Sequence, residues 1–360
     1  MISPLSSTTV DAIDDLVSAA GIKKRRTLIR RIIESGVGMG TDEASRLNLK
    51  ITAAALEEMR AAFALFEPFQ GTRKATIFGS ARTQPGDLLS IAAEETARTF
   101  AEDGWMIVTG AGPGIMEAAA TGAGPAHSLG VSIRLPFEEA PNAKLEDDTQ
   151  RVAMKYFFTR KLMLVKESSA FVCLPGGFGT MDETFELLTL QQTGKMVPVP
   201  IVLLDRAGGK YWEGFQRFVV DEIEAAGFAT PGDLERVLIT DSAEEAVRHV
   251  RKFWSNYQDL RWFPVGPDAA PGTRDTLMLY VRHQPTAAEL DSLNEQFANL
   301  LEEGAIEVSE PFAEEGSALP ELARITFIPK PRAVGELYRV ITALNELPSF
   351  LLDHAETNRE

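Results

Sequence analysis

The chain has 360 residues, of which 44% are hydrophobic, so it is long enough to bury a large core in two or three structural units. Its formal net charge of -16 argues against a general nucleic-acid or acidic-membrane surface, because both partners attract basic proteins. The single cysteine, Cys173, excludes an internal disulfide framework and a cysteine-rich metal site.

Targeting segments are not evident in the sequence. The N-terminus lacks a basic region followed by an apolar core, and no stretch approaches about 18 uninterrupted apolar residues. We therefore predict neither secretion nor membrane insertion, and we expect a cytoplasmic protein.

The first 70 residues have helical periodicity and no strand pattern. Apolar residues recur at helical spacing from Val10, from Leu28 and between Ala44 and Phe66. The basic residues between Lys23 and Arg31 could bind an anion or a partner, although a solvated helix face is the more ordinary explanation. We predict an N-terminal helical extension over residues 1–70.

From residue 71 to residue 257 the pattern alternates between short apolar strands and amphipathic helices. The predicted strands cover residues 75–78, 105–108, 129–135, 152–154, 170–174, 199–204 and 237–240. Such alternation predicts the α/β class, with a Rossmann-like, doubly wound parallel sheet covered by helices on both faces. Ligands of these sheets bind beyond the carboxyl ends of the strands, where the strand order reverses.

The last hundred residues have a different pattern. Prolines and glycines between Pro264 and Gly272 indicate a linker. Strands are predicted after it at 276–281, 305–308 and 322–328, with helices at 287–301 and 334–347. We predict a linker and a small α+β domain over residues 258–360, without an obvious catalytic cluster.

Three of the predicted strands end in glycine-containing turns. These turns are Gly79-Ser80, the segment Gly110 to Gly114, and the segment Gly176 to Thr180. Because the carboxyl ends of parallel strands meet at one edge, the turns are expected to converge on one crevice. A helix start offers unpaired N–H groups and the positive end of its dipole, so a phosphate would fit beside Gly176 to Thr180. For the glycines alone, ordinary tight turns are an equally good explanation.

The second turn does not have the dinucleotide-binding fingerprint. Its spacing is Gly-x-Gly-x-Gly, and the next predicted strand ends in Arg134 and Leu135 rather than in an acidic residue. A mononucleotide with a single phosphate is therefore favoured over NAD.

Two charged residues near the third turn are candidates for chemistry. Arg160 could hold a phosphate or a leaving group in a fixed geometry, although a surface salt bridge would explain it equally well. Glu183 follows the third turn, where a carboxylate pressed against a phosphate would be repelled. We expect Glu183 to face a sugar hydroxyl or the reacting centre instead.

The residues Pro175 to Glu183, read with Arg160-Lys161, resemble the signature pair of the LONELY GUY (LOG) family of phosphoribohydrolases, often mislabelled lysine decarboxylases. The Gly79-Ser80 turn and residues 109–117 match further family elements in the same order. The likeness spans roughly residues 73–254. The second turn is more similar to that of larger bacterial members acting on general nucleotides than to that of short plant members.

The resemblance implies a Rossmann-like fold, a homodimer with active sites near its interface, and no metal or organic cofactor. The implied reaction hydrolyses a nucleoside 5'-monophosphate, AMP or an N6-substituted AMP such as a cytokinin riboside monophosphate, to free base and ribose 5-phosphate. By position, Arg160 and Glu183 would be the catalytic pair. The expected substrate-binding residues are Gly79, Ser80, Gly110, Gly112, Gly114, Lys161, Gly176, Gly177, Gly179 and Thr180, among which Gly177, Gly179 and Thr180 would hold the 5'-phosphate.

Two other functions are compatible with parts of the pattern. A non-catalytic nucleotide-binding or sensing protein would keep the fold and the glycine turns without hydrolysing the ligand. An amino-acid decarboxylase would need a Schiff-base lysine beside a cofactor site, and no cofactor motif accompanies Lys161. We therefore reject the decarboxylase and keep the sensor as the alternative.

Overall fold

The computed structural model describes residues 4–134, 150–230, 232–264, 275–312, 315, 319–330 and 334–357. The chain divides into two compact units, Met1–Ala64 and Leu65–Glu360. Residues 136–148, a polar, proline-containing stretch that the sequence predicts to be a loop, lie outside the described residues, as does most of the predicted linker. The domain boundaries near residues 70 and 257 stay predictions.

The N-terminal unit is helical, as its periodicity predicts. Its helices are α1 (Ser7–Ala19), α2 (Arg26–Thr41) and α3 (Arg46–Phe66), the last of which continues past the unit's boundary. Ser6 caps α1 by accepting a hydrogen bond from the N–H of Thr9. Within the basic segment, Arg30 forms ion pairs with Asp14 at 3.2 Å and Glu34 at 3.3 Å, so this arginine joins α2 to α1.

The second unit contains a sheet of seven parallel strands in the order β4-β3-β2-β1-β5-β6-β7. The strands are β1 (Lys74–Phe78), β2 (Met106–Thr109), β3 (Ser128–Ile133), β4 (Arg151–Met154), β5 (Ala170–Cys173), β6 (Ile201–Leu204) and β7 (Val237–Thr240). Every residue of β1, β2, β5 and β6 is buried, as expected for a sheet covered on both faces. The predicted Rossmann-like, doubly wound fold is confirmed.

The helices that cover the sheet follow the strands in alternation. They are α4 (Leu88–Glu102), α5 (Ile115–Ala123), α6 (Phe157–Lys166), α7 (Phe178–Thr193), α8 (Tyr211–Phe218) and α9 (Ala243–Phe253). From β1 the chain moves outward to β2, and from β5 it moves outward to β6 on the other side. The strand order therefore reverses between β1 and β5, where a ligand crevice is expected.

A four-stranded antiparallel sheet of order β10-β11-β9-β8 forms the C-terminal part of this unit. Its elements are β8 (Tyr257–Pro264), β9 (Asp275–Val281), α10 (Ala287–Gln296), β10 (Leu301–Ser309), β11 (Ala323–Pro329), α11 (Val334–Asn345) and α12 (Pro348–Thr357). The predicted small α+β fold is confirmed. Strand β8 and helix α12 are not among the predicted elements.

Buried polar side chains of α11 attach this sheet to the Rossmann-like part. Asn345 accepts hydrogen bonds from the N–H groups of Asn256 and Tyr257, at 3.0 and 2.8 Å, and donates to the carbonyl of Phe253 at 2.7 Å. The Tyr338 hydroxyl donates to the carbonyl of Val199 at 3.1 Å. The bonds of Asn345 satisfy backbone groups at the joint between α9 and β8, and the bond of Tyr338 satisfies a carbonyl just before β6.

Helices of membrane-spanning length and apolarity are absent from the described part of the chain.

Candidate functional site

A cleft of about 1020 Å³ lies at the point where the strand order reverses. Most of the predicted site residues line it, and they come from the turns after β1, β2 and β5 and from α6 and α7. These lining residues are Gly79, Ser80, Gly110, Gly112, Arg160, Gly176, Gly177, Gly179, Thr180 and Glu183. Two predicted residues, Gly114 and Lys161, do not line the cleft.

Backbone hydrogen bonds of Ser80 join the three glycine turns. Its N–H donates to the carbonyl of Pro175 at 3.2 Å, and its carbonyl accepts from the N–H of Ile115 at 3.0 Å. A Cβ at Gly79 would lie 2.6 Å from the side chain of Ile115. Gly79 is therefore needed for the close packing of the turns, whether or not a ligand is bound.

The glycines of the third turn have two different environments. A Cβ at Gly176 would lie 2.1 Å from Oγ1 of Thr180, so this glycine is needed for packing. A Cβ at Gly177 or Gly179 would meet no atom within 4 Å. Helix α7 begins at Phe178, and its first N–H groups lack intrahelical acceptors. Gly177 and Gly179 therefore leave room for an anion to approach this helix start.

Arg160 reaches the second glycine turn from α6. Its Nε donates to the carbonyl of Val131 at 2.9 Å, and a Cβ at Gly110 would lie 2.0 Å from its guanidinium. Burial lowers the pKa of Arg160, while the nearby Glu183 carboxylate raises it. Since an arginine stays protonated in proteins, Arg160 provides a fixed positive charge in a partly desolvated position.

Glu183 lies in the second turn of α7 and is only 7% exposed. Burial raises the pKa of its carboxyl to about 7, although the charges of Arg160 and Lys161 oppose this shift. Two further carboxylates, Glu186 and Asp182, add to the increase. A carboxyl with a pKa near 7 in a cleft is typical of groups that take part in proton transfer.

Lys161 connects α6 to α7 instead of lining the cleft. Its Nζ lies 2.7 Å from Asp182 and 2.8 Å from Glu186. Burial disfavours its charge, but the hydrogen bonds to these two carboxylates outweigh burial and raise the pKa of Lys161. An amine held protonated in this way is poorly suited to form a Schiff base.

Gly114 has a conformational role at the start of α5. Its φ is +70°, and a Cβ there would lie 2.3 Å from the carbonyl oxygen of Ser80. A glycine is therefore needed here on both counts. The neighbouring Ala111 lines the cleft with φ +53°, a left-handed conformation that is uncommon for a residue with a Cβ.

Several lining residues were not predicted from the sequence. Arg82 and Arg134 follow β1 and β3 at the carboxyl edge of the sheet. Because ligands bind at this edge, their positions after strand ends could have identified them as lining residues. Tyr211 lines the cleft from the start of α8, and its hydroxyl donates to the carbonyl of Gly176 at 2.8 Å. No sequence motif marks this tyrosine.

The described residues contain no group of three or more His, Cys, Asp or Glu side chains that could hold a metal ion.

Comparisons with known proteins agree with the motif at this cleft. Residues 114–250 match the family model described as "Possible lysine decarboxylase". A cytokinin riboside 5'-monophosphate phosphoribohydrolase of Mycobacterium tuberculosis is 29% identical over 177 residues, which cover 48% of this chain and 90% of that protein. One from Rhodococcoides fascians is 28% identical, over 50% of this chain and 89% of that protein. The chain is therefore similar to LONELY GUY family proteins over about half of its length.

Other LOG-family relatives are matched over shorter segments. A protein of the same name in Arabidopsis thaliana is 33% identical over 94 residues, or 42% of its length. Among solved structures, a molybdenum cofactor binding protein from Rippkaea orientalis is 22% identical, with a TM-score of 0.35. That match covers 50% of this chain and 96% of the other chain.

The two LOG motifs of this chain are brought together by α6 and α7. Arg160 lies on α6 and Glu183 on α7, and both side chains line the cleft. Lys161 of the first motif holds the same two helices together through Asp182 and Glu186. The remaining motif residues, Gly176 to Thr180, form the turn between β5 and α7.

Proposed function

We propose that the chain hydrolyses the N-glycosidic bond of a nucleoside 5'-monophosphate to give the free base and ribose 5-phosphate. The proposed substrate is AMP or an N6-substituted AMP, such as a cytokinin riboside monophosphate, which the relatives from Mycobacterium and Rhodococcoides are named for. The observation that carries the proposal is the pairing of a partly buried Arg160 with a buried Glu183 of pKa about 7 in one cleft.

The charge that develops during the reaction matches this pair. Breaking the bond between C1' and the base places positive charge on the ribose, and the Glu183 carboxylate stabilises that charge. The oxygen of a water molecule bonds to C1' and the water loses a proton, while the electron pair of the broken bond leaves with the base and the base takes up a proton. Arg160 lowers the pKa of Glu183 and binds the phosphate or the departing base.

The proposed phosphate site is the start of α7. Gly177 and Gly179 leave open space there, and the Thr180 hydroxyl adds a donor. Since the N–H groups of a helix start bind anions without any side-chain charge, the acidic chain can still bind a nucleotide here. The rest of the proposed site is shaped by the other glycine turns, with Gly79, Ser80, Gly110, Gly112 and Gly114. Lys161 supports the site by holding α6 to α7.

The proposal is tested by incubating the protein with AMP, N6-isopentenyl-AMP, GMP, CMP and UMP and measuring free base. We expect base release from adenine nucleotides, and we expect Arg160→Ala to lower kcat/KM by at least about a hundredfold. The matched control is Arg248→Ala, which removes an exposed arginine of α9 that pairs with Glu244 and does not line the cleft. The control should keep activity within a few-fold of the wild type.

The ranking of the substrates separates two physiological roles. A strong preference for N6-isopentenyl-AMP would indicate a cytokinin-activating enzyme, and similar rates for all bases would indicate a general nucleotide nucleosidase. Saturable nucleotide binding without release of any base would instead support the alternative of a sensing protein.

We also propose a homodimer or higher homo-oligomer that works in the cytoplasm. The support for self-association is a set of exposed apolar side chains on α6 and at the first residue of α7, two helices that line the cleft. This set is here called the aromatic rim: Phe157, Phe158, Leu162 and Phe178, which are 52%, 55%, 47% and 95% exposed. Exposed apolar residues concentrated in one place are typical of surfaces that bind another protein.

A further inference from the structure

Tyr211 contacts the proposed phosphate turn from outside both LOG motifs. It is the first residue of α8, and its hydroxyl donates to the carbonyl of Gly176 at 2.8 Å. Its side chain is 38% exposed and lines the cleft, whereas the adjacent Trp212 is completely buried. The ring of Tyr211 therefore lies at the surface of the cleft, and its hydroxyl is hydrogen-bonded to the third glycine turn.

The backbone of Tyr211 is itself held in place. Asp205, at the end of β6, accepts hydrogen bonds from the N–H of Tyr211 and from the N–H of Arg206, both at 2.8 Å. Asp205 is only 5% exposed, and a Cβ at Gly209 would lie 2.2 Å from its carboxylate. The loop between β6 and α8 therefore packs tightly against the Asp205 side chain. The backbone from which the Tyr211 ring extends is held in a fixed position.

The bond to Gly176 restrains the peptide unit between two glycines. Neither Gly176 nor Gly177 has a Cβ, so rotation of this unit has little steric resistance of its own. Because a trans peptide is planar, with its carbonyl and N–H on opposite sides, a fixed Gly176 carbonyl also fixes the direction of the Gly177 N–H. Gly177 is the residue that caps α7, so its orientation determines how the helix start meets an anion.

We propose that Tyr211 is a positioning residue for the phosphate of the nucleotide. It acts through the Gly176 carbonyl on the helix start of α7, and it takes no part in breaking the glycosidic bond. This inference rests on the proposed function for the identity of the ligand. Asp205 supports this role, because its hydrogen bond to the N–H of Tyr211 fixes the backbone from which the side chain reaches the turn.

The test is Tyr211→Phe, which removes the hydroxyl and keeps the ring. We expect KM for AMP to rise about five- to twentyfold, because one hydrogen bond is lost. The value of kcat should stay within twofold of the wild type. The matched control is Tyr338→Phe, which removes a phenol hydroxyl bonded to the Val199 carbonyl outside the cleft. That control should lower the melting temperature and leave KM unchanged.

A binding measurement separates this inference from the proposed function. In a Glu183→Gln background, Tyr211→Phe should weaken the binding of AMP and of ribose 5-phosphate, and should leave the binding of adenosine, which has no phosphate, unchanged. This result can be obtained even if the wild-type protein releases no base. Unchanged AMP affinity, equal weakening of AMP and adenosine, or a large fall in kcat at constant KM would each overturn the positioning role.

Discussion

Glu183 is the residue whose chemistry depends most on its surroundings. Its pKa of about 7, against an ordinary value of 4.5, results mainly from burial. If the carboxylate is the active form, kcat/KM for AMP should rise with pH and level off above about pH 7. The phosphate of AMP also titrates, near pH 6, so AMP binding must be measured over the same range. A rate that falls between pH 6 and pH 8 would contradict the assignment.

The same pKa predicts a change in stability that does not depend on activity. A carboxyl whose pKa is raised by folding stabilises the protein below about pH 4.5, and this contribution is lost as pH rises through about 7. The total is on the order of 3 kcal/mol. As the pH rises from 5 to 8, the free energy of unfolding of Glu183→Gln, measured in urea, should therefore increase relative to that of the wild type. A stability difference between the two proteins that does not vary with pH would contradict a pKa of about 7 for Glu183.

Ala111 provides a second prediction at the scale of a single residue. Its left-handed φ of +53° costs a residue with a Cβ about 1 kcal/mol. We expect Ala111→Gly to leave the free energy of unfolding unchanged or to raise it by up to about 1 kcal/mol. The matched control is Ala118→Gly in α5, where the same change should lower stability by about 1 kcal/mol or more. Equal destabilisation by both changes would contradict the strain at Ala111.

At the scale of elements, the glycine turns after β2 and β5 are expected to respond differently to substitution. Gly114→Ala places a Cβ against the backbone of Ser80 at a positive φ, so it should unfold the turn and destabilise the protein by about 3 kcal/mol or more. Gly177→Ala has space and an ordinary φ of -87°, so it should fold normally and raise KM for AMP. Denaturation curves and kinetics together test the pair. Wild-type KM in folded Gly177→Ala would contradict the phosphate site.

The sequence predicted the strands and the site to different extents. Buried strands of a parallel sheet are short apolar runs between helices, so β1 to β7 could be found from local pattern alone. Strand β8 could not, because a register shift between Tyr257 and Asp259 breaks its alternation. The motifs identified Arg160 and Glu183, but they could not show that Lys161 pairs with carboxylates of α7. Tyr211 was missed since its contact with Gly176 joins residues 35 positions apart.

For the whole molecule, the aromatic rim predicts self-association. Charge reversal within it, as in Phe158→Glu, should shift the protein toward monomers in light scattering, because a buried carboxylate is strongly disfavoured. Leu351→Glu is a control at a comparably exposed apolar residue of α12, where the side chain is 50% exposed. A wild-type monomer at micromolar concentration would contradict the proposed oligomer. So would a rim variant that keeps the wild-type mass.

The net charge of -16 also bears on the whole molecule, since it repels nucleotides at a distance. We therefore expect phosphate to bind through local groups, at the start of α7 and near the arginines of the cleft. We propose that this local site breaks the N-glycosidic bond of AMP and no other.

The products can be identified by following AMP with phosphorus and proton NMR in the presence of the protein at pH 8. We predict adenine and ribose 5-phosphate in equal amounts, no inorganic phosphate, and no turnover by Glu183→Gln although it still binds AMP. Release of inorganic phosphate, or AMP that stays intact while bound to the wild type, would contradict this proposal.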